Sequence, residues 1–501
     1  MVSQVKAGAL MSYFTLAVNI VIGIVYTPWM IKSIGTSNYG LYTLAMSVIN
    51  IFVFDFGLGD AVRRFVAKYM AEGDVLGAKN FMSVTLRLYL IIDIIISTLL
   101  IGLFLIIPSI YQGLTPIEIE KFKIIFAVAA IFSVVSFPLI TADGVLSGCE
   151  KFIQLKICDF LHKIVIVVSM SICLVYGYGL YALVVINAIA GIITIIAKWI
   201  CIYKYTSFTL KIDFWDNDLL RLIIGFSMWV LISAVCQRCV LSFAPSILGM
   251  LSSTTEIALF SLALSIEGYY YTFANAINGL FLPKVSNLIA QNKEKDILPL
   301  MIRVGNVQFF VIGLLFLGLI CFGPHFINVW VGEKFASVYY CMLVMIFPSF
   351  ISLPQNIAYT TMVAKNKVRY NAYGSIIKAS SNILLAIPLS IKYGAWGMSI
   401  SVSISYMLSV VYSNINFIKI LGLNIWEFFS KVFFSKLIPF SLLLIIGLGV
   451  NKLVSYQSWG SLMIKAIAFV VAYTCIMFVF MKKAERVEFV EPMKHLFHLK
   501  R

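Results

Sequence analysis

The chain has 501 residues, of which 61% are hydrophobic and 12% charged, and its mean hydropathy is +0.98. A soluble globular domain does not carry so large an apolar excess, so the composition excludes one and points to the bilayer. The net charge of +16 would suggest nucleic acid in a soluble protein; here membrane topology accounts for it and no nucleic-acid partner is expected.

About fourteen near-continuous apolar stretches follow one another, each roughly the 20 residues that a helix needs to cross a bilayer. In chain order they are 9–31, 41–61, 81–107, 122–140, 157–175, 180–202, 222–248, 257–282, 304–322, 338–363, 372–391, 395–417, 432–450 and 462–480. None alternates with period two, so an outer-membrane barrel is not expected. The fold class expected is an all-α polytopic membrane protein. Lys6 precedes the first stretch as in a secretory signal, but the apolar run is too long and no A-x-A site follows, so it reads as an uncleaved first helix.

With the N-terminus placed in the cytoplasm, about 27 of the 38 Lys and Arg fall on the cytoplasmic side, about 6 outside and about 5 within spans. The opposite orientation inverts this bias. An even span number also places the basic tail (Lys482, Lys483, Arg486, Lys494, Lys500, Arg501) inside, against anionic headgroups.

The first six spans resemble the next six. Pro28 matches Pro245, and Tyr39–Ala45 matches Ile257–Ala263. Arg87 matches Arg303 and Pro138 matches Pro354, both at one offset. Lys163 matches Lys378, and Tyr178-Gly179-Leu180-Tyr181 matches Tyr393-Gly394-Ala395-Trp396. The matches keep their order and the offset is nearly constant throughout. A unit of six spans enters the membrane twice from the same side. The expectation is two six-helix lobes in parallel repeat, 1–210 and 211–425, with a site at their interface. Two additional transmembrane helices follow at 426–485, and a cytoplasmic tail at 486–501. Pro28 and Pro245 would kink the first helix of each lobe; a static kink is the commoner outcome, a hinge the functional alternative. The longest external loops, around 108–121 and 323–337, hold about fifteen residues each, too few for a domain.

Charge in the bilayer core costs about 2.5–3.5 kcal/mol per residue on insertion scales, so charged residues there are functional candidates. Asp55 lies in span two, Arg87 and Asp93 in span three, Arg238 in span seven and Glu267 near the middle of span eight. Lys163 and Lys378 occupy equivalent places in spans five and eleven. Arg238 with Glu267, and Asp55 with Arg87, are candidate pairs across neighbouring helices; a self-neutralising structural pair is an equal reading for each. Lys163 and Lys378 could instead snorkel to headgroups, and Lys198 and Lys465, near span ends, are expected to do so. Arg63 and Arg64 follow span two at the cytoplasmic face. An arginine fork suits a pyrophosphate, although topology-setting charge is the plainer reading.

The nine cysteines form no disulfide framework. Cys236-Gln237-Arg238-Cys239 is a C-x-x-C inside a span, where apolar packing outweighs a metal or redox site. Cys321 and Cys341 flank one external loop without requiring a bridge. No P-loop, H-E-x-x-H or G-x-S-x-G is present. His162, His325, His495 and His498 form no ligand cluster. No enzyme, metal or cofactor is expected.

Gly35-Thr36-Ser37-Asn38-Tyr39-Gly40-Leu41-Tyr42 resembles the G-x-x-x-Y-G-x-Y stretch of bacterial polysaccharide flippases. Asp55-Phe56-Gly57-Leu58, Arg63-Arg64-Phe65 and Gly73-Asp74 are similar to their D-x-G-L…R-F…G-D segment. The Tyr-Gly steps at Tyr178 and Tyr393 and the Lys365-Asn366-Lys367 turn also fit. The resemblance is to the O-antigen and capsule repeat-unit flippases of the multidrug/oligosaccharidyl-lipid/polysaccharide exporter superfamily, and it covers nearly the whole chain. It implies a V-shaped two-lobed carrier in the bacterial inner membrane, working by alternating access. Its implied substrate is an undecaprenyl-pyrophosphate-linked oligosaccharide, with H+ or Na+ as candidate coupling ions and a polysaccharide polymerase as candidate partner. It implies that helices one, two, seven and eight line a cationic cavity, which selects Asp55, Arg63, Arg238 and Glu267. Span one lacks the arginine of the superfamily's lipid II flippases, which weighs against lipid II. The alternative is a cation-coupled multidrug exporter of the same superfamily, with Asp55 or Glu267 carrying the ion.

Overall fold

A computed structural model describes residues 2–52, 58–206, 214–278, 281–453, 458–481 and 486. Asp55, most of the basic tail, and His495 and His498 lie outside the described residues. Every described element is helical, and among the described residues eleven helices are long and apolar enough to cross a bilayer. The protein is an all-α, multi-pass membrane protein. The expected fourteen spans relate to these eleven simply. One long helix, 368–421, holds two of them, because Gly394 (φ 55°, ψ −131°) breaks it into two. Span two includes 53–57, which lie outside the described residues. Span eight is helical over Thr254–Asn278, but Glu256, Glu267 and three successive tyrosines lower its hydropathy.

Chain proximity divides the protein into two compact units, Met1–Ser261 with Ile383–Ala395, and Leu262–Asn382 with Trp396–Arg501. The repeat boundary expected near residue 210 falls inside the first unit. That unit contains α1 (Val2–Ile34), α2 (Thr36–Phe52), α3 (Leu58–Ala71), α4 (Val75–Ile110), α5 (Pro116–Ser136), α6 (Thr141–Gly148), α7 (Phe152–Val175), α8 (Leu180–Tyr205), α9 (Asn217–Leu241), α10 (Phe243–Leu251) and the start of α11 (Thr254–Asn278). Local sequence sets these boundaries. Asp74 accepts from Gly77 N at 2.7 Å and opens α4. Thr115 and Glu118 form a capping box with Pro116 in the first turn, which opens α5. The amphipathic α3 packs tightly on α6, where Gly144 and Gly148 leave room for Val62 and Val66.

The second unit contains the rest of α11, then α12 (Leu282–Ala290), α13 (Ile297–Val331), α14 (Ser337–Ser352), α15 (Asn356–Ala364), most of α16 (Val368–Leu421), α17 (Ile425–Val432), α18 (Leu437–Leu453) and α19 (Trp459–Phe480). The C-terminal pair α18 and α19 packs on α13. Its core is aromatic: Phe350 stacks on Phe316 with ring centroids 4.7 Å apart, and lies 5.7 Å from Phe433 and 5.8 Å from Phe440.

Two short breaks recur at one chain offset. Pro138 sits in a 3-10 turn, Phe137–Ile140, between α5 and α6. Pro354, its match, sits in another, Leu353–Gln355, between α14 and α15. Left-handed residues recur just after each segment, at Glu150 (φ 58°) and Asn366 (φ 55°). Proline withholds the amide that would continue the helix, so each helix breaks at its proline. Large apolar side chains point outward on many helices, as with Ile94, Leu105, Leu384 and Ile438, each about two-thirds exposed or more. Lipid, not water, is the solvent that such a surface fits.

Candidate functional site

Within the first unit, Arg63 and Arg64 lie exposed on α3, and the Arg64 guanidinium sits 5.8 Å from the centre of the Phe65 ring. Arg87 on α4 and Lys163 on α7 are half-buried. One carboxylate oxygen of Asp93 is buried on α4 with no hydrogen-bond partner among the described residues. Asp55, the expected partner of Arg87, lies outside the described residues. Arg238 is half-buried in the last turn of α9, where Ser242 N donates to its carbonyl at 2.9 Å.

The chain breaks at Ser242 between α9 and α10, just before the buried Pro245. The missing proline amide leaves the Leu241 carbonyl without its helical donor, which accounts for the break. Pro28, by contrast, lies within an unbroken α1.

Two expected snorkellers do not snorkel. Lys198 is 8% exposed, with its Nζ 2.7 Å from Asp143 Oδ1 and 2.8 Å from Asp159 Oδ1. It ties α8 to α6 and α7. Beside it, Thr194 Oγ1 and His162 Nδ1 are 2.7 Å apart. Lys465 is 2% exposed and lies 3.0 Å from both His325 Nδ1 and Asn451 Oδ1. A lysine near a helix end extends to water only when no nearer acceptor exists; here neighbouring helices supply one. Sequence reasoning also missed Lys436, buried with its Nζ 2.6 Å from Asn306 Oδ1. For the Lys198 clamp the signal available was depth, since Asp143 and Lys198 occupy the same end of their spans.

In the second unit, α11, α14 and α16 bring polar groups together inside the bilayer. Glu267 is 9% exposed and accepts from Ser349 Oγ at 3.1 Å. The Lys378 ammonium acts on it electrostatically and stands 4.1 Å from the centre of the Tyr406 ring. Glu267 and Lys378, two of the candidate residues, thus belong to the same unit. Arg238, proposed from sequence as a partner of Glu267, belongs to the first unit.

Among the described residues no three His, Cys, Asp or Glu side chains gather in a way that could hold a metal. Cys236 and Cys239 are half-buried, and Cys321 and Cys341 are buried.

A family profile described as polysaccharide biosynthesis protein matches residues 7–289, more than half of the chain. The chain belongs to the polysaccharide biosynthesis protein family. A Shigella dysenteriae relative named for O-antigen transport is 28% identical over 96 residues, 19% of this chain. The alignment spans only 24% of that relative's length. A solved structure of the lipid II flippase MurJ in an inward closed conformation superposes with a TM-score of 0.68 at 15% identity, covering 95% of this chain and 98% of that one. An inward-facing multidrug resistance MATE family transporter of the MOP superfamily superposes at 0.62, also 15% identical, covering 80% and 98%. This member of the polysaccharide biosynthesis family therefore carries the fold that MurJ and MATE transporters share.

Proposed function

We propose that the chain is a flippase that moves undecaprenyl-pyrophosphate-linked oligosaccharide units across the bacterial inner membrane for surface polysaccharide, O-antigen or capsule. The observation that carries the reading is the family match over 7–289. The transporter fold along 95% of the chain supports it, as does the O-antigen name of the Shigella relative. The chemistry agrees: a sugar headgroup with an anionic pyrophosphate needs polar, positively biased contacts, while its isoprenoid tail stays in lipid. Translocation needs no bond making, only two conformations of different affinity opening in turn to the two faces.

In the first unit, Arg63, Arg64, Arg87, Lys163 and Arg238 are the proposed headgroup contacts, with Asp55 beside them in the sequence. In the second, Glu267 and Lys378 fill that role. Pro28 and Pro245 are the proposed hinges. Both termini are placed in the cytoplasm on the positive-inside bias. H+ or Na+ coupling and a polymerase partner belong to the same proposal.

The test is a deletion strain. Loss of surface polysaccharide, accumulation of lipid-linked units and rescue by the intact gene are expected. Normal surface polysaccharide in the deletion strain refutes the reading. A deletion strain that instead becomes drug-sensitive supports the alternative, a cation-coupled multidrug exporter.

A further inference from the structure

One carboxylate in the first unit joins the N-termini of two repeat-related helices. Glu118 Oε1 accepts from Ser37 Oγ at 2.6 Å and from Thr254 Oγ1 at 2.7 Å. Ser37 lies in the first turn of α2 and Thr254 opens α11. Its other oxygen, Oε2, accepts from Thr115 N at 2.9 Å and Thr115 Oγ1 at 3.0 Å, which fixes the side chain. The carboxylate therefore faces the positive ends of two helix dipoles at once. At the offset that relates both Arg87 to Arg303 and Pro138 to Pro354, the position matching Glu118 is Lys334, of opposite charge.

The contact is the outer end of a longer seam. Gly40 on α2 lies against the Thr254 carbonyl and Gly113 against the Ser252 carbonyl, so closely that neither position has space for a Cβ. Tyr111 Oη and Ser246 Oγ are 3.3 Å apart, and Ser47 Oγ donates to the Ser242 carbonyl at 2.6 Å. Glu256, in the first turn of α11 with Thr254, accepts from Ala395 N at 2.7 Å. The loops involved follow the first, third, seventh and eleventh expected spans. All are odd, so all share one membrane face, which the positive-inside bias makes the outer one.

We infer that Glu118 is the pin of an outer closure in which the first repeat, through α2 and the start of α5, is held against the α10–α11 turn of the second. The inference rests on the reading of the chain as a carrier that opens to each face in turn. Outward opening must separate this seam, and Glu118 must then exchange the Thr254 hydroxyl for water. The close glycine–carbonyl contacts make the closed seam watertight, while hydrogen bonds that water can replace make it reversible.

The test reads the seam without substrate. Ser246→Cys puts a thiol behind the pin, at a position that is 2% exposed. A membrane-impermeant maleimide is applied to right-side-out vesicles, and labelling is taken as the increment over the parent with Ser246. Glu118→Ala is expected to raise the rate about tenfold or more by increasing the open population. Thr254→Val, which removes one hydroxyl and leaves the Thr115 capping box intact, is expected to raise it less. Glu120→Ala, at an exposed neighbouring acid, leaves it unchanged. If Glu118→Ala fails to fold, Thr254→Val alone decides. Rates equal to the parent in the folded variants overturn the inference. The flippase reading stands or falls separately on surface polysaccharide.

Discussion

Lys198 and Asp143 lie on helices far apart in the chain, yet the ammonium and the carboxylate are 2.7 Å from each other, with Asp159 completing the clamp at 2.8 Å. Three helices of the first unit meet there. Lys198→Met is expected to destabilise the protein by about 1–3 kcal/mol, below the full cost of a buried unpaired charge because both carboxylates are partly exposed. Thermal unfolding in detergent measures it. A variant as stable as the parent would show that the clamp contributes nothing.

The Lys465 cluster makes a different prediction, because it has no carboxylate. Lys465→Met strands the buried His325 ring nitrogen and the Asn451 carbonyl, and should cost roughly 1–3 kcal/mol. Lys465→Met combined with His325→Phe and Asn451→Leu removes all three polar partners and should recover most of that loss. If the triple variant is less stable than the single, the cluster is a net stabiliser and the argument fails.

Gly394 breaks α16 at φ 55°, and a Cβ there would run into the Glu256 carboxylate that caps the following helix. Gly394→Ala combines backbone strain with that collision and should cost about 1–3 kcal/mol. Glu256→Ala in the same background should relieve part of the loss, which a double-mutant cycle on melting temperature reads directly.

Glu267 and Lys378 are proposed to act as one unit. Each of Glu267→Gln and Lys378→Met should lower surface polysaccharide at matched expression, and the double variant should lose less than the two single losses combined. Strictly additive losses would separate the two residues.

The spans are legible in the sequence because a bilayer imposes a length and a polarity that apolar runs display openly. The match of Pro138 with Pro354 is legible in the sequence, but that the helices break there, while Pro28 lies within an unbroken α1, is not. What helix order does not display is which side chain faces which across a helix boundary. Glu267 accepts from Ser349, on a helix well separated from it in the chain, a partner that helix order does not suggest. Lys198 and Lys465 are misread for the same reason: their position near a span end is visible, but the acceptors on neighbouring helices are not. Glu118 draws no notice because its role depends on the Thr254 hydroxyl, on a helix remote from it in the chain.

Ser349, the donor to Glu267, has its repeat counterpart in Ser133, and both are buried. At the offset that relates Tyr39–Ala45 to Ile257–Ala263, however, the position matching Glu267 is Ile49, also buried. At this pair of positions one stretch thus carries a buried acid and the other a buried isoleucine. Compensation for a buried acid is therefore needed around residue 267 and not around residue 49.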